Sequence, residues 1–90
     1  MKVYKYTLGN VPGTKHTPMP RSAVVVNVRV QHGNVVLWAV VDPVEVETMT
    51  RLFSLIETGA EVPTSGGAYY LGTSRLCEGN YILHTFETTV

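Results

Sequence analysis

The first hairpin predicted from the sequence carries the residues best suited to chemistry. Gly33-Asn34 is expected to form a two-residue turn, because both residue types tolerate the positive φ that such turns require. That turn places Arg29 directly opposite Trp38, with Asn27 and Gln31 on the same face of the sheet. Arginine contacts phosphate through paired hydrogen bonds, and an aromatic face stacks on a base. The mixture predicts a site for a planar base that carries phosphates.

A second hairpin resembles the first at a constant offset of 46 residues. Residues 75–84 share their Arg, Gly, Asn and Leu positions with residues 29–38. A turn at Gly79-Asn80 places Arg75 opposite His84, which again sets a guanidinium beside a flat ring. Because hairpin turns demand Gly and Asn in any case, we interpret the similarity as convergence rather than duplication.

Six residues of the two hairpins form the predicted ligand-binding set. Two arginines hold phosphates, one ring stacks on the base, and three polar side chains contact the ribose or the base edges. In that order they are Arg29, Arg75, Trp38, Gln31, Asn27 and His84. In the alternative interpretation Trp38 packs in a subunit interface and Arg29 covers it through a cation–π contact. The two interpretations agree if the ligand sits at the interface.

The elements that must position these residues are β-strands. Val, Thr, Tyr, Ile, Phe and Trp, which favour strands, supply 36 of the 90 residues. We predict an all-β fold of about six antiparallel strands in a meander, closed as a small barrel or folded as a sandwich. Residues 1–90 would form a single β domain. The predicted strands are 2–8, 23–31, 35–42, 48–57, 69–76 and 81–87, and residues 10–21, with three prolines, are predicted to be a loop.

The strand predicted at residues 35–42 is apolar on both faces. It is therefore central in its sheet or lies against another subunit. Val36, Trp38 and Val40 would otherwise add to a larger exposed apolar patch than monomers usually tolerate. We expect a homo-oligomer.

Composition excludes several functional classes. Seven Lys and Arg balance seven Asp and Glu, which argues against generic nucleic-acid binding. Cys77, the single cysteine, fits a reducing compartment and excludes an internal disulfide. The longest apolar stretch has seven residues, against the twenty or so that a membrane span needs. We expect a cytoplasmic protein that contacts no membrane.

Neither catalysis nor a bound metal or other cofactor is predicted. His16, His32 and His84 have no metal-ligand spacing, and no activating base lies beside Cys77 in the sequence. Paired carboxylates, a Ser-His-Asp arrangement and a phosphate loop cannot be assembled either. The sequence therefore favours a binding protein over an enzyme.

A Leu37-Trp38-Ala39 run with Val41-Asp42 follows a hairpin that contains Gln31 and Gly33. With these residues the chain resembles a family of small proteins found mainly in bacteriophages and prophages. Weaker matches span nearly the whole chain: Tyr4-Lys5-Tyr6, Leu8, Met19-Pro20, Ala23, Thr58-Gly59, Gly72-Thr73, His84 and Phe86-Glu87. The chain departs from the family at Ser22, where Gly is common, and at Ala60-Glu61, where His-Pro is common.

The resemblance implies a phage origin. By analogy of class, small oligomeric phage proteins with pockets at subunit junctions look like immune-signal sponges such as Sequestin and Lockin, which capture ADP-ribose-derived signals of Thoeris defence. We therefore expect an anti-defence protein in the host cytoplasm that sequesters such a nucleotide, a cyclic ADP-ribose isomer or His-ADP-ribose, at a subunit interface without cleaving it. The alternatives are a module that inhibits a host enzyme or assembles in the virion, with Trp38 and Phe53 as anchors, and an enzyme that degrades cyclic nucleotides.

Overall fold

The computed structural model describes residues 1–63 and 66–89, whose regular structure is almost entirely β. One short 3-10 turn, Cys77–Gly79, is the only helical piece in these residues. They contain no helix with the length and apolar character needed to cross a membrane. The strands are β1 (Lys2–Gly9), β2 (Gly13–Pro20), β3 (Val24–Gln31), β4 (Asn34–Val41), β5 (Thr48–Glu57), β6 (Ala68–Leu76) and β7 (Tyr81–Thr88).

The strands form two antiparallel sheets that cover one another. The three-stranded sheet has the order β1-β4-β3, and the four-stranded sheet has the order β2-β5-β7-β6. The prediction of an all-β antiparallel fold is confirmed, and β4 is the central strand of its sheet. The order differs from a simple meander, because the chain passes from one sheet to the other after β1, β2 and β4. Each sheet thereby buries the apolar face of the other.

The predicted loop at residues 10–21 is wrong, because most of it is strand β2. Pro18 and Pro20 pair with Thr50 and Thr48 of β5. Successive backbone N–H groups alternate in direction along a strand, so two prolines two residues apart both lack the N–H of the same side. That side is the open edge of the sheet, where no ladder hydrogen bond is lost. Prolines there also discourage pairing with other chains.

The core lies between the two sheets. Val35, Leu37 and Ala39, alternate residues of β4, are completely buried, and they face Phe53 and Leu55 of the other sheet in one cluster. Hence even-numbered residues of β4, Trp38 included, lie on the outer face of the three-stranded sheet. On the four-stranded sheet the buried Leu83 likewise places its neighbour His84 on the outer face.

The register of the first hairpin differs from the prediction. Gln31 pairs with Asn34, so the turn is His32-Gly33, with φ of 51° and 77°, and not Gly33-Asn34. Arg29 consequently lies opposite Val36 rather than Trp38, and Asn27 lies opposite Trp38. The predicted pairing of Arg29 with Trp38 is therefore wrong by two residues. Because side chains alternate with a period of two, residues 27–31 keep their predicted faces. A bulge at Val26 interrupts the alternation, so Val24 lies on the outer face and Val25 packs against the core, the reverse of the prediction.

The second hairpin shifts by the same two residues. Leu76 pairs with Tyr81 around a four-residue loop that includes the 3-10 turn, so the predicted two-residue turn at Gly79-Asn80 is also wrong. Arg75 lies opposite Ile82, and the expected pairing with His84 is taken by Thr73 instead. The two hairpins therefore remain equivalent at the offset of 46 residues.

The buried hydroxyl of Thr85 gives a test of the core. Thr85 is completely buried opposite Leu55 and Gly72, and its Oγ1 has no hydrogen-bond partner among the described residues. Thr85→Val should raise the free energy of unfolding by about 1 kcal/mol, because it removes an unpaired polar atom without changing the shape of the side chain. Urea denaturation measures this change.

Ser54→Ala is the matched control for that prediction. Ser54 is equally buried, but its Oγ lies 2.9 Å from Oγ1 of Thr14 in a hydrogen bond. Removing it should lower the free energy of unfolding by about 1 kcal/mol. A Thr85→Val protein that is destabilised as much as the Ser54→Ala protein would contradict our account of Thr85.

Candidate functional site

A polar groove runs between β3 and β6, each of which is an edge strand of its sheet. Its volume is about 340 Å³, and it is lined by Asn27, Val28, Arg29, Val30, Thr73, Ser74 and Arg75. The two strands stack closely, because a Cβ at Gly72 would lie 3.6 Å from the Cβ of Val28. The groove thus forms where the tertiary packing brings the two hairpins together.

Equivalent positions of the two hairpins line this groove. Six of the lining residues form three pairs at the offset of 46 residues, and the members of each strand are consecutive in sequence. The pairs are Asn27 and Thr73, Val28 and Ser74, and Arg29 and Arg75. The similarity between the hairpins therefore coincides with a shared location. Thr73 and Ser74 are absent from the predicted set, although this offset could have identified Thr73 from Asn27. Ser74 corresponds to Val28, which the sequence predicts to lie in the core.

The groove contains the two arginines that have no acidic partner. Arg21 pairs with Glu47 at 3.2 Å, and Arg51 pairs with Glu87 at 2.7 Å. Arg29 and Arg75 are exposed, and neither makes an ion pair or a side-chain hydrogen bond within residues 1–63 and 66–89. None of the described residues that line the groove is acidic. Arg29 lies on the outer face of the three-stranded sheet and Arg75 on the outer face of the four-stranded sheet, so the two residues line the groove from its two sides. Unpaired guanidinium groups attract anions and suit phosphate oxygens.

Asn27 and Thr73 add neutral hydrogen-bonding groups to the groove. Oδ1 of Asn27 accepts a hydrogen bond of 2.9 Å from the backbone N–H of Val28, which leaves the amide N–H₂ available as a donor. Oγ1 of Thr73 lies 2.6 Å from the hydroxyl of Tyr70 and 3.0 Å from Nδ1 of His84. These contacts hold the Thr73 side chain in one orientation.

The other three predicted residues lie outside the groove. Trp38 and Gln31 are on the outer face of the three-stranded sheet, where Oε1 of Gln31 accepts a hydrogen bond of 2.9 Å from Nζ of Lys5. His84 is on the outer face of the four-stranded sheet, and its Nε2 lies 2.8 Å from Oγ1 of Thr58. The structure therefore gathers Arg29, Arg75 and Asn27 at one opening, and it separates Trp38 from His84.

Two tyrosines outside the groove have raised pKa values. Burial raises the pKa of Tyr6, and burial together with the nearby Glu57 carboxylate raises the pKa of Tyr81. Neither tyrosine lines the groove. Within the described residues, no three His, Cys, Asp or Glu side chains cluster in a way that could hold a metal ion.

A family model described as a domain of unknown function, DUF7352, matches residues 1–90. The chain belongs to this family. No curated protein and no solved structure matches it.

Proposed function

We propose that this protein binds a small phosphorylated ligand of the nucleotide type in the groove between β3 and β6, without cleaving it. The observation that carries the proposal is the pair of unpartnered arginines, Arg29 and Arg75, at equivalent positions of one groove. Two guanidinium groups match two linked phosphates, because each can donate two parallel hydrogen bonds to one phosphate. The Asn27 amide and the Thr73 hydroxyl are suited to a ribose.

The biological role that we propose is sequestration of a host immune signal. ADP-ribose-type molecules, such as a cyclic ADP-ribose isomer or His-ADP-ribose, carry two linked phosphates between sugars, as the two arginines require. The resemblance to phage proteins supports an anti-defence role in the host cytoplasm. Both arginines are suited to hold phosphates by charge and shape, and holding the ligand is what sequestration requires.

Oligomerisation is part of this proposal. Val3, Val40 and Val24 lie side by side on the outer face of the three-stranded sheet, and Val3 and Val24 are each 59% exposed. Exposed apolar rows of this kind are typical of protein-binding surfaces. We propose that a second copy covers this face. The groove lies beside it, because Asn27 is directly opposite Trp38.

The same outer face supports a second candidate function, a module that binds a host enzyme or a virion protein. Trp38 would be the anchor of such an interface. Phe53, the other expected anchor, is completely buried in the core and cannot contact a partner without unfolding.

Native mass spectrometry of the protein purified from signal-producing cells separates these functions. A retained, intact nucleotide of the ADP-ribose type supports sequestration. A converted nucleotide supports the cyclic-nucleotide-degrading enzyme. A protein that carries no nucleotide but retains a host or virion protein supports the binding module.

Arg29→Ala gives the matched test at the level of a single residue. It should weaken the binding of ADP-ribose, measured by titration calorimetry, by about 2 to 4 kcal/mol, because a charge-assisted hydrogen-bonded pair is lost. Arg21→Ala removes the same charge from an exposed pair with Glu47 outside the groove, and it should leave binding unchanged. Equal affinities of the two variants would mean that Arg29 holds no phosphate.

A further inference from the structure

Tyr70 lies on the outer face of the four-stranded sheet, next to the groove. The residue is 59% exposed, although two contacts fix the position of its ring. The ring meets Phe86 edge to face, with 5.5 Å between the centroids and 61° between the planes, and the hydroxyl lies 2.6 Å from Oγ1 of Thr73. An exposed aromatic ring that is already oriented loses little conformational freedom when a ligand stacks on it.

Thr73 connects this ring to the groove. It lines the groove, and its hydroxyl contacts both Tyr70 and His84. A hydroxyl has one donor and two acceptor sites, so two contacts leave one site for a ligand. Arg75 lies two residues farther along the same face of β6, at about 7 Å. The ribose between a base and its phosphates can bridge such a separation.

We propose that Tyr70 is the stacking platform for the nucleobase of the ligand, with Thr73 contacting the ribose and Arg75 the phosphates. This inference rests on the proposed function and makes its ligand class narrower: a nucleotide with a free base face, rather than any small phosphorylated compound. In this proposal the base stacks on Tyr70, beside the groove, and not on Trp38, which does not line the groove.

The test compares Tyr70→Ala with Tyr69→Ala against two ligands, ADP-ribose and inorganic pyrophosphate. Tyr69 is a neighbouring exposed tyrosine, but it pairs with Glu87 and lies on the other face of the strand. Tyr70→Ala should weaken ADP-ribose binding on the order of 10- to 100-fold and leave pyrophosphate binding unchanged. Tyr69→Ala should change neither, and Tyr70→Phe should retain most of the affinity for ADP-ribose.

Trp38, the only tryptophan, supplies a second measurement that needs no substitution. If Tyr70 is the platform, ADP-ribose and pyrophosphate should change the tryptophan fluorescence equally. Quenching by ADP-ribose alone, or equal ADP-ribose affinities of the Tyr70→Ala and wild-type proteins, would overturn the platform and leave the phosphate site intact. A wild-type protein that binds neither compound would instead overturn the proposed function and, with it, this inference.

Discussion

The double variant Arg29→Ala/Arg75→Ala should lose measurable affinity for ADP-ribose, with a fall on the order of 1000-fold or more. Each substitution removes a charge-assisted contact with phosphate, and together they leave the groove without a cation. The two losses should be coupled, because both side chains contact one pair of linked phosphates. Titration calorimetry on the double variant and on each single variant measures the loss and the coupling.

The control for charge is Lys2→Ala/Arg21→Ala, which removes two exposed cations outside the groove. It should bind ADP-ribose as the wild type does. Arg29→Lys/Arg75→Lys should recover only part of the affinity, because lysine restores the charge but not the planar fork. All these proteins should melt at similar temperatures, since Arg29 and Arg75 are exposed without a partner in the described chain and the Arg21–Glu47 pair is itself exposed. If the Lys2→Ala/Arg21→Ala protein lost affinity for ADP-ribose as completely as the Arg29→Ala/Arg75→Ala protein, the loss would be an effect of net charge and not of the groove.

Arg51→Ala should lower the free energy of unfolding by about 3 kcal/mol, more than any other substitution that we propose. Nε and Nη2 of Arg51 donate to the two carboxylate oxygens of Glu87, at 2.7 and 2.8 Å, and Nη1 donates to the backbone carbonyl of Ala23. The guanidinium also lies 5.8 Å from the centroid of the Phe53 ring. Arg51 and Glu87 belong to one sheet, and Ala23 immediately precedes β3 of the other. The side chain therefore ties the two sheets together.

Burial explains why this ion pair matters more than an exposed one. The side chains of Arg51 and Glu87 are only 15% and 21% exposed, and the hydrogen bond with Glu87 raises the pKa of Arg51 above its usual value. Removing one partner leaves the other charge partly buried and unpaired. Arg51→Lys should also destabilise the protein, because an ammonium group cannot make both paired contacts.

Arg21→Ala serves as the reference in urea denaturation. Its pair with Glu47 is 69% and 66% exposed, so its loss should change the free energy of unfolding by less than about 1 kcal/mol. If Arg51→Ala and Arg21→Ala unfold at the same urea concentration with the same slope, then Arg51 does not hold the sheets together.

Six of the seven strands that the structure describes, and most of their faces, could be predicted from the sequence. Alternation along residues 27–31 and 34–41 assigns Arg29, Asn27 and Trp38 to one face, and an error of two residues in the turn leaves that assignment unchanged. The position of the turn was less predictable. It depends on which residues adopt positive φ, and His32 does so beside Gly33. Residue type alone favoured Gly33-Asn34, since asparagine enters that region more readily than histidine.

Only the tertiary structure decided which of these residues act together. Sequence patterns report on a residue and its neighbours along the strand, whereas the groove arises from two edge strands that are distant in the chain. Stacking of β3 on β6 makes Arg29 and Arg75 line the same groove, one from each sheet. The same two-layer packing places Trp38 and His84 on opposite outer faces, so the rings expected to share one site cannot meet. The prolines of β2 are compatible with a strand only because β2 is an edge strand, and which strands lie at an edge is decided by the assembled sheet.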